Sequence, residues 1–344
     1  MQVINKLLLL AAITSVGCSR TIPPTFTNAP VQVICELSDN IAMIGEPESL
    51  SVFDEGFAII SNPGKVLLFD FNGNQTRELG RPGNAKYEYN LPYIIRSHKD
   101  SIYLWSANSL KFIVFSKNGL PHSEYKYPSA IRDFVPTDSL MFIYASGTRV
   151  NNIIDVYSKD EQSIIDSVWS STEEHLTLLS KTSVAPIVKI EDNILFAPKD
   201  QMNIMKYNFV SRITTMESNI SSDTFIVDNV KDSEVLLSNR NRMLDYLMTN
   251  SFTVSIIPDK SNLKILTLEG KDEDDSANRR ISYDKRYYTL YDLNRGVPLA
   301  HYSYASLAPQ YLFSVHNDSL FFIKKIPNPE KGESYIFLEI TSKT

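Results

Sequence analysis

A short unit recurs along the chain, in which an acidic residue and a small polar residue come directly before a run of apolar residues. Clear copies occupy residues 100–104, 138–142, 192–196 and 318–322, and looser copies occupy 55–59 and 260–265. Small polar residues tolerate the backbone angles of tight turns, and apolar β-branched and aromatic residues favour the strand that follows. The pattern therefore predicts six turns that each join two strands.

More strands are predicted around these turns. Apolar runs at 65–71 and 111–117 lead into Asn72-Gly73 and Asn118-Gly119. Asn-Gly between β runs indicates a hairpin, because a type I′ turn needs positive φ at both central residues. With the polar strand that follows each hairpin, the unit has four antiparallel strands, which is typical of a propeller blade. We therefore predict an all-β fold, a six-bladed β-propeller of four-stranded antiparallel blades.

The two ends of the chain are predicted to close the ring. The last unit provides three strands, within 311–315, 319–323 and 334–340, while an apolar strand at 31–37 stands alone. An N-terminal strand that completes the last blade would leave no open sheet edge at this position. The propeller would then span residues 31–344. A β-sandwich or a pair of smaller β domains is the alternative, since short strands with regular turns suit those folds too.

One segment departs from the strand pattern. Between the fourth and fifth units, apolar residues within 233–249 follow helical rather than alternating spacing. We expect a helical insertion there, either a lid over the central channel or a packing element.

The N-terminus has the parts of an export signal. Lys6 comes before the apolar run 7–13, which is far shorter than the roughly 20 residues of a membrane-spanning helix. The next residues, Ser15-Val16-Gly17-Cys18, resemble the lipobox of bacterial lipoproteins, although Ser15 stands where leucine is commonest. The resemblance implies that residues 1–18 are a lipoprotein signal peptide and that Cys18 carries a lipid anchor. A plain secretory signal is the alternative.

A tether is predicted between this anchor and the propeller. Residues 19–30 contain three prolines and show neither helix nor strand periodicity, which indicates a flexible, extended segment. Two or three acyl chains on Cys18 would hold a soluble domain at a bilayer durably. We therefore expect the membrane to be a partner through this anchor alone.

The net charge limits which other partners are expected, and the cysteine content limits which disulfides can form. The chain has a net charge of −6, and removal of residues 1–18 takes away one charge, on Lys6, so the mature charge is −7. An acidic chain without basic clusters is not expected to bind nucleic acid, nor anionic lipid by charge. Of the two cysteines, Cys35 alone remains once Cys18 is lipidated, so no disulfide is expected within the chain.

The link after the first unit carries a family resemblance. Residues 79–92 resemble the glycine- and proline-rich link between the blades of NHL-type propellers, with residues 84–86 inserted. Together with the lipobox and the Asp-Ser turns, the chain resembles the TolB-like six-bladed β-propeller lipoproteins of Bacteroides and its relatives. This resemblance implies a protein of the cell envelope. Residues 19–22 lack the acidic residues associated with surface export in such lipoproteins, so we expect the outer membrane, facing the periplasm.

The sequence shows no pattern typical of a catalytic or metal site. The five histidines are scattered without metal-site spacing, and neither a nucleophile elbow nor a phosphate-binding glycine loop occurs. The acidic run 269–275 does not match a Ca²⁺ loop and includes Lys271, so we interpret it as a solvated hairpin tip. We expect no catalytic residue, no metal and no cofactor.

A ligand is expected at the mouth of the channel instead. The predicted face is built from the links between blades and from the loops between the second and third strands of each blade. Aromatic and arginine side chains on exposed loops are common binding anchors. The residues predicted on this face are Asn62, Arg81, Tyr87, Tyr89, Asn108, Arg149, Asp200 and Gln201.

Two functions follow from this reading. The first is a non-catalytic binding lipoprotein that engages a partner protein or a glycan of the envelope. The second is an envelope hydrolase or lyase with a metal in the channel, which needs histidines or carboxylates from the innermost strands of several blades. Of the predicted inner strands, 93–98 and 312–316 contain histidine and 134–137 does not, which favours binding.

Overall fold

The computed structural model shows a ring of small sheets built almost entirely from strands. It describes residues 31–37, 46–62, 64–145, 152–170, 186–198, 201–218, 220–227, 238–239, 241–242, 246, 249–258, 262–270, 273–275, 280–282, 286–303, 312–328 and 333–341.

Each blade is a four-stranded antiparallel sheet, and the described chain enters the ring at β1 (Val31–Glu36). The first blade contains β2 (Glu46–Phe53), β3 (Gly56–Asn62), β4 (Lys65–Phe69) and β5 (Gln75–Glu78). The second contains β6 (Pro92–His98), β7 (Ser101–Ser106), β8 (Lys111–Ser116) and β9 (Pro121–Lys126). The third contains β10 (Ile131–Pro136), β11 (Leu140–Ala145), β12 (Asn152–Ser158) and β13 (Ser163–Ser170).

The other three blades have the same strand order, with two differences: a hairpin is inserted in the fifth blade, and the N-terminal strand β1 is the outermost strand of the sixth. The fourth contains β14 (Ile187–Ile190), β15 (Asn193–Phe196), β16 (Ile204–Asn208) and β17 (Ile213–Ser218). The fifth contains β18 (Phe252–Pro258), β19 (Leu263–Glu269), β22 (Tyr287–Asp292) and β23 (Val297–Ser303), with the hairpin β20 (Glu273–Asp275) and β21 (Arg280–Ser282) inserted at its middle. The sixth contains β24 (Phe313–His316), β25 (Ser319–Asn328), β26 (Glu333–Thr341) and the N-terminal strand β1.

The predicted six-bladed propeller and its closure are confirmed. β1 pairs antiparallel with β26, from Val31 opposite Thr341 to Glu36 opposite Phe337, and so completes the sixth blade. Because the chain forms separate four-stranded sheets around a centre, a β-sandwich is ruled out for the described residues. We call the end of the ring where each first strand turns into the second the lower end. β1 begins at this lower end, since it pairs there with the last residue of β26.

The core lies between neighbouring blades, so both faces of a blade are buried. In β8, Phe112 and Val114 pack with the third blade, whereas Ile113 and Phe115 pack with the first. Successive side chains of a strand point to opposite faces, and here each face meets a different neighbour. This explains why the middle strands are continuous apolar runs, while the outermost strand β5 is exposed along its whole length.

The two predicted Asn-Gly hairpins form, but their turn type differs from the prediction. Positive φ occurs at Gly73 (83°) and Gly119 (77°) and not at the asparagine before either of them. A register shift follows in each hairpin, so the arrangement is that of a three-residue loop closed by a glycine bulge. A side chain at Gly73 would also collide with the carbonyl oxygen of Glu36 in the closing strand.

Four inner strands share a further irregularity near their upper ends. The register shifts between Pro47 and Ser49, and at the equivalent places in β6, β10 and β18. A bulge adds one residue and redirects the side chains around it. Beyond these shifts, Ser51, Asp133 and Ser255 line the central channel.

The predicted helical insertion falls largely outside the described residues. Within 233–249, the structure describes six residues, of which Ser238, Asn241, Arg242, Tyr246 and Thr249 are helical. The insertion itself therefore stays a prediction. Among the described residues, no helix is long and apolar enough to cross a bilayer.

Candidate functional site

A cavity of about 350 Å³ lies at the centre of the ring, and all six inner strands contribute to its wall. It reaches the lower end, where His98 and His316 are the last residues of their strands. The polar side chains of the wall are Ser51, Arg96, Ser97, His98, Asp133, Lys189, Ser255, Ser314 and His316. A concave site with a few convergent polar groups is the usual form of a small-ligand site.

Serines join the inner strands around this cavity. An inner strand has one edge without a neighbouring strand, so its backbone groups need other partners. The backbone N–H of Val52 donates to Ser314 Oγ (3.0 Å) of the sixth blade, and Ser97 Oγ of the second blade donates to the Val52 carbonyl (3.2 Å). Ser51 Oγ also donates to Ser97 Oγ (3.2 Å). The serines therefore fix blades six, one and two to each other along the channel.

Arg96 and Asp133 form an ion pair in the wall between the second and third blades. The Arg96 guanidinium donates to Asp133 Oδ2 (2.6 Å), and it also donates to the carbonyl oxygens of Ile95 (2.7 Å) and Leu50 (3.3 Å). The side chain of Asp133 is 5% exposed and that of Arg96 is 24% exposed. The aspartate charge is thus balanced inside the wall.

Two histidine–aspartate pairs occupy equivalent places at the lower end. His98 Nε2 lies 3.0 Å from Asp138 Oδ1, and His316 Nε2 lies 3.0 Å from Asp54 Oδ1. In each pair the histidine ends the inner strand of one blade, and the aspartate lies in the first turn of the next blade. Burial lowers the pKa of His98, while Asp138 acts against that shift. Each imidazole is therefore oriented by a carboxylate while it faces the cavity.

A buried lysine holds one of these aspartates in place. Lys159 is 7% exposed, donates to Tyr103 Oη (2.6 Å) and to the backbone oxygen of Thr137, and lies over the Tyr103 ring. Burial lowers its pKa to about 8. Because Thr137 and Asp138 begin the first turn of the third blade, this contact positions Asp138 beside His98.

The residues predicted for the binding face lie apart from this cavity. None of the predicted residues that the structure describes lines it. Arg81 is exposed and pairs with Glu88 (2.7 Å), and the backbone N–H of Tyr87 donates to Glu124 on the outermost strand β9 (2.8 Å). Their link therefore lies over the outer half of the second blade.

The other predicted residues are scattered. Tyr89 is fully buried in the core between the first two blades. Asn108 is exposed and bonds to Asn90 (3.1 Å), and the backbone oxygen of Gln201 accepts from Thr253 on the inner strand β18. Asn62 ends β3, and only its backbone is described. Arg149 and Asp200 lie outside the described residues.

One expectation about the acidic run is wrong. Glu269 is not part of a solvated tip, because its side chain is fully buried at the end of β19. Its carboxylate accepts hydrogen bonds from Thr267 (2.6 Å), Thr224 (2.6 Å) and Tyr291 (2.8 Å). Three hydroxyl donors are the compensation that a buried carboxylate needs, so we assign it a structural role.

The sequence did contain a signal for the histidine pairs. His98 and His316 stand three residues before the serine of their repeat unit, in His-Lys-Asp-Ser and His-Asn-Asp-Ser. Equal spacing within equivalent blades places both at the same level of the ring. Among the described residues, no group of three or more histidine, cysteine, aspartate or glutamate side chains could hold a metal ion.

No protein-family model matches the chain, and no curated protein matches it. Solved structures do match. A protein of Bacteroides fragilis NCTC 9343 that is inferred to be exported aligns with a TM-score of 0.65 at 13% identity, over 93% of this chain and 97% of its own. A member of the DUF4221 family from Bacteroides vulgatus ATCC 8482 aligns with 0.62 at 9% identity, over 91% and 98%. Streptogramin B lyase aligns with 0.50 at 10% identity, over 92% and 99%. These likenesses show the fold alone.

Proposed function

We propose that this protein is a lipid-anchored binding protein of the bacterial envelope and that its central channel holds a small polar ligand, most simply part of a glycan. The observation that carries the proposal is the cavity of about 350 Å³ in which serine, histidine, arginine and lysine side chains from all around the ring converge. Ligand sites range upward from about 300 Å³, so this one suits a small molecule or the end of a chain. A folded partner protein could insert only a loop or a terminus.

The location of the protein in the cell is the second part of the proposal. The tether 19–30 would connect Cys18 to Val31, which lies at the lower end of the ring, the end that carries His98 and His316. Twelve extended residues reach about 40 Å, so the anchor leaves room for ligand at this mouth. The resemblance to TolB-like and NHL-like lipoproteins, and the exported Bacteroides protein that shares the fold, support the cell envelope. The lack of acidic residues in 19–22 supports the periplasmic side of the outer membrane.

An envelope hydrolase or lyase is the second candidate. The observation that favours it is the orientation of His98 and His316 by aspartates, since an imidazole held by a carboxylate can act as a general base. A solved structure with this fold also carries the name of a lyase. Turnover of a bound glycan would distinguish this candidate from simple binding.

Lipid anchoring is tested with two cysteine variants. Cys18→Ser is expected to abolish incorporation of labelled fatty acid and to release the protein from the membrane fraction. Cys35→Ser is the matched control and is expected to change neither, because Cys35 is buried and burial raises the pKa of its thiol to about 11. A label that survives Cys18→Ser would contradict the anchor.

Ligand binding in the channel is tested with two valine variants. The soluble chain 19–344 is screened on a glycan array, and binders are measured by calorimetry. Val188→Trp places an indole in the cavity wall and is expected to weaken binding by at least about tenfold, because the ligand loses its space. Val297→Trp, at the exposed start of β23, is expected to have no effect. Unchanged binding in correctly folded Val188→Trp would place the ligand elsewhere.

A further inference from the structure

The lower part of the channel carries basic side chains from alternate blades. The first turns of blades two, four and six are closed by the pairs His98–Ser101, Ile190–Asn193 and His316–Ser319, which places these residues at equivalent positions. Lys189 comes directly before Ile190 and lines the same cavity as the two histidines. Three nitrogen-bearing side chains therefore approach the channel from three directions, spaced two blades apart.

Most carboxylates near this site are already paired. Asp133, the carboxylate in the described wall, is bound to Arg96. At the rim, Asp138 contacts His98 and Lys99 (2.6 Å), and Asp54 contacts His316. Lys117 pairs with Glu55 and Asp100 at the same end.

Lys189 contrasts with these balanced groups. Within the described part of the chain, it has no hydrogen bond or ion pair to a carboxylate. The turn residues Glu191 and Asp192 are exposed and Asp318 is partly exposed, so water screens their charges over about 8–10 Å. The cavity wall is therefore positive in a chain whose net charge is −6.

A positive wall favours a ligand with an anionic group, and the serines of the wall indicate which other groups that ligand carries. Ser51 and Ser97 donate their hydroxyl protons within the wall and can still accept a hydrogen bond, while Ser255 and Ser314 can donate to a hydroxylated ligand. We propose that the channel binds a small hydroxylated carboxylate of the uronic acid type, with its carboxylate near Lys189, His98 and His316. This inference rests on the proposed function and names the class of its ligand.

His98 makes this binding dependent on pH. The charged groups around His98 are Asp138, Lys99 and Lys159, and Asp54 faces His316. Burial lowers the pKa of His98, so its imidazole is mainly neutral above pH 7 and gains its charge as the pH falls. A uronate stays ionised over this range, because carboxyl groups titrate near pH 4. Affinity is therefore expected to rise on mild acidification.

The test measures galacturonate and glucuronate against galactose and glucose by calorimetry on the chain 19–344. At about pH 6, each uronate is expected to bind at least about tenfold more tightly than its neutral sugar. Lys189→Met should remove most of that difference, and Lys189→Arg should restore it. Lys206→Met is the matched control, because Lys206 lies in the same blade and pairs with Glu217 outside the cavity. His98→Gln should abolish the gain in affinity that appears as the pH falls below about 6.5, the ordinary histidine pKa.

The outcomes separate this inference from the proposed function. Equal binding of uronate and neutral sugar, sensitive to Val188→Trp but not to Lys189→Met, would overturn the carboxylate and leave channel binding intact. Uronate binding that neither Val188→Trp nor Lys189→Met affects would overturn both. If neither uronates nor neutral sugars bind, the carboxylate inference is overturned. Channel binding is then tested separately by the glycan array. Circular dichroism of every variant confirms that it is folded.

Discussion

A chain that begins at residue 38 is expected to lose the cooperative folding of the propeller, because its sixth blade would keep only three strands. The missing strand β1 pairs along β26, and the missing segment 31–37 contributes Leu37 (0% exposed) and Cys35 (8%) to the core that the fifth, sixth and first blades share. Deletion of one large core side chain costs about 2–5 kcal/mol. The loss of a whole strand should therefore cost at least about 5 kcal/mol, against a typical total stability of about 5–15 kcal/mol.

A chain that begins at residue 31 is the control for this truncation. It lacks the tether but keeps β1, so its urea midpoint is expected to equal that of the chain 19–344. Circular dichroism during urea unfolding measures both truncations. A peptide of residues 31–45, added in trans, should restore part of the lost stability if the edge of β26 is the defect. An unchanged midpoint for the chain that begins at residue 38 would show that closure by β1 is dispensable.

Arg96→Met is expected to lower the free energy of unfolding by about 3 kcal/mol, since breaking a buried ion pair typically costs about 3–5 kcal/mol. The Asp133 carboxylate is almost fully buried and would lose its guanidinium partner. Arg96 is partly exposed, so the lower end of that range applies. The substitution would also remove the hydrogen bonds of Arg96 to the Leu50 and Ile95 carbonyls. Urea denaturation of the purified variant gives the value.

Two further variants identify the cause of this loss. Arg81→Met changes the same residue type in an exposed pair, because the Arg81 side chain is 79% exposed, and such pairs contribute at most about 1 kcal/mol. Arg96→Met combined with Asp133→Leu removes both charges and is expected to recover part of the stability. A double variant as unstable as the single one would show that lost packing, and not the unpaired Asp133 carboxylate, explains the loss of stability.

The repeat pattern was sufficient to predict the architecture. Copies such as 100–104 and 318–322 predict turns between two strands, and the structure has Ser101 and Ser319 as the first residues of second strands. The continuous apolar run of β8 agrees with a strand that is buried on both faces. The closing role of 31–37 followed from counting strands in the last unit. These features depend on the local backbone preferences of the residues and on the number of strands, and both can be read from the sequence.

The burial of individual side chains was harder to predict, because the direction of each side chain depends on its neighbours in space. Tyr89 was expected at the surface, yet it fills the core beside Gly80. Glu269 was expected in water, yet three hydroxyl groups enclose it. For Glu269, two of these hydroxyl groups come from Thr224 and Tyr291, which are distant in the sequence.

The sequence by itself determined the strands, their grouping into six blades and the closure of the ring, because turn residues and apolar periodicity act locally. Only the tertiary structure decided which side chains line the channel. Bulges near the upper ends of β2, β6, β10 and β18 redirect side chains by one position, and a period of two does not reveal them. The pairing of His98 with Asp138 and of His316 with Asp54 joins residues 40 and 262 positions apart, and it exists because neighbouring blades pack at one fixed level.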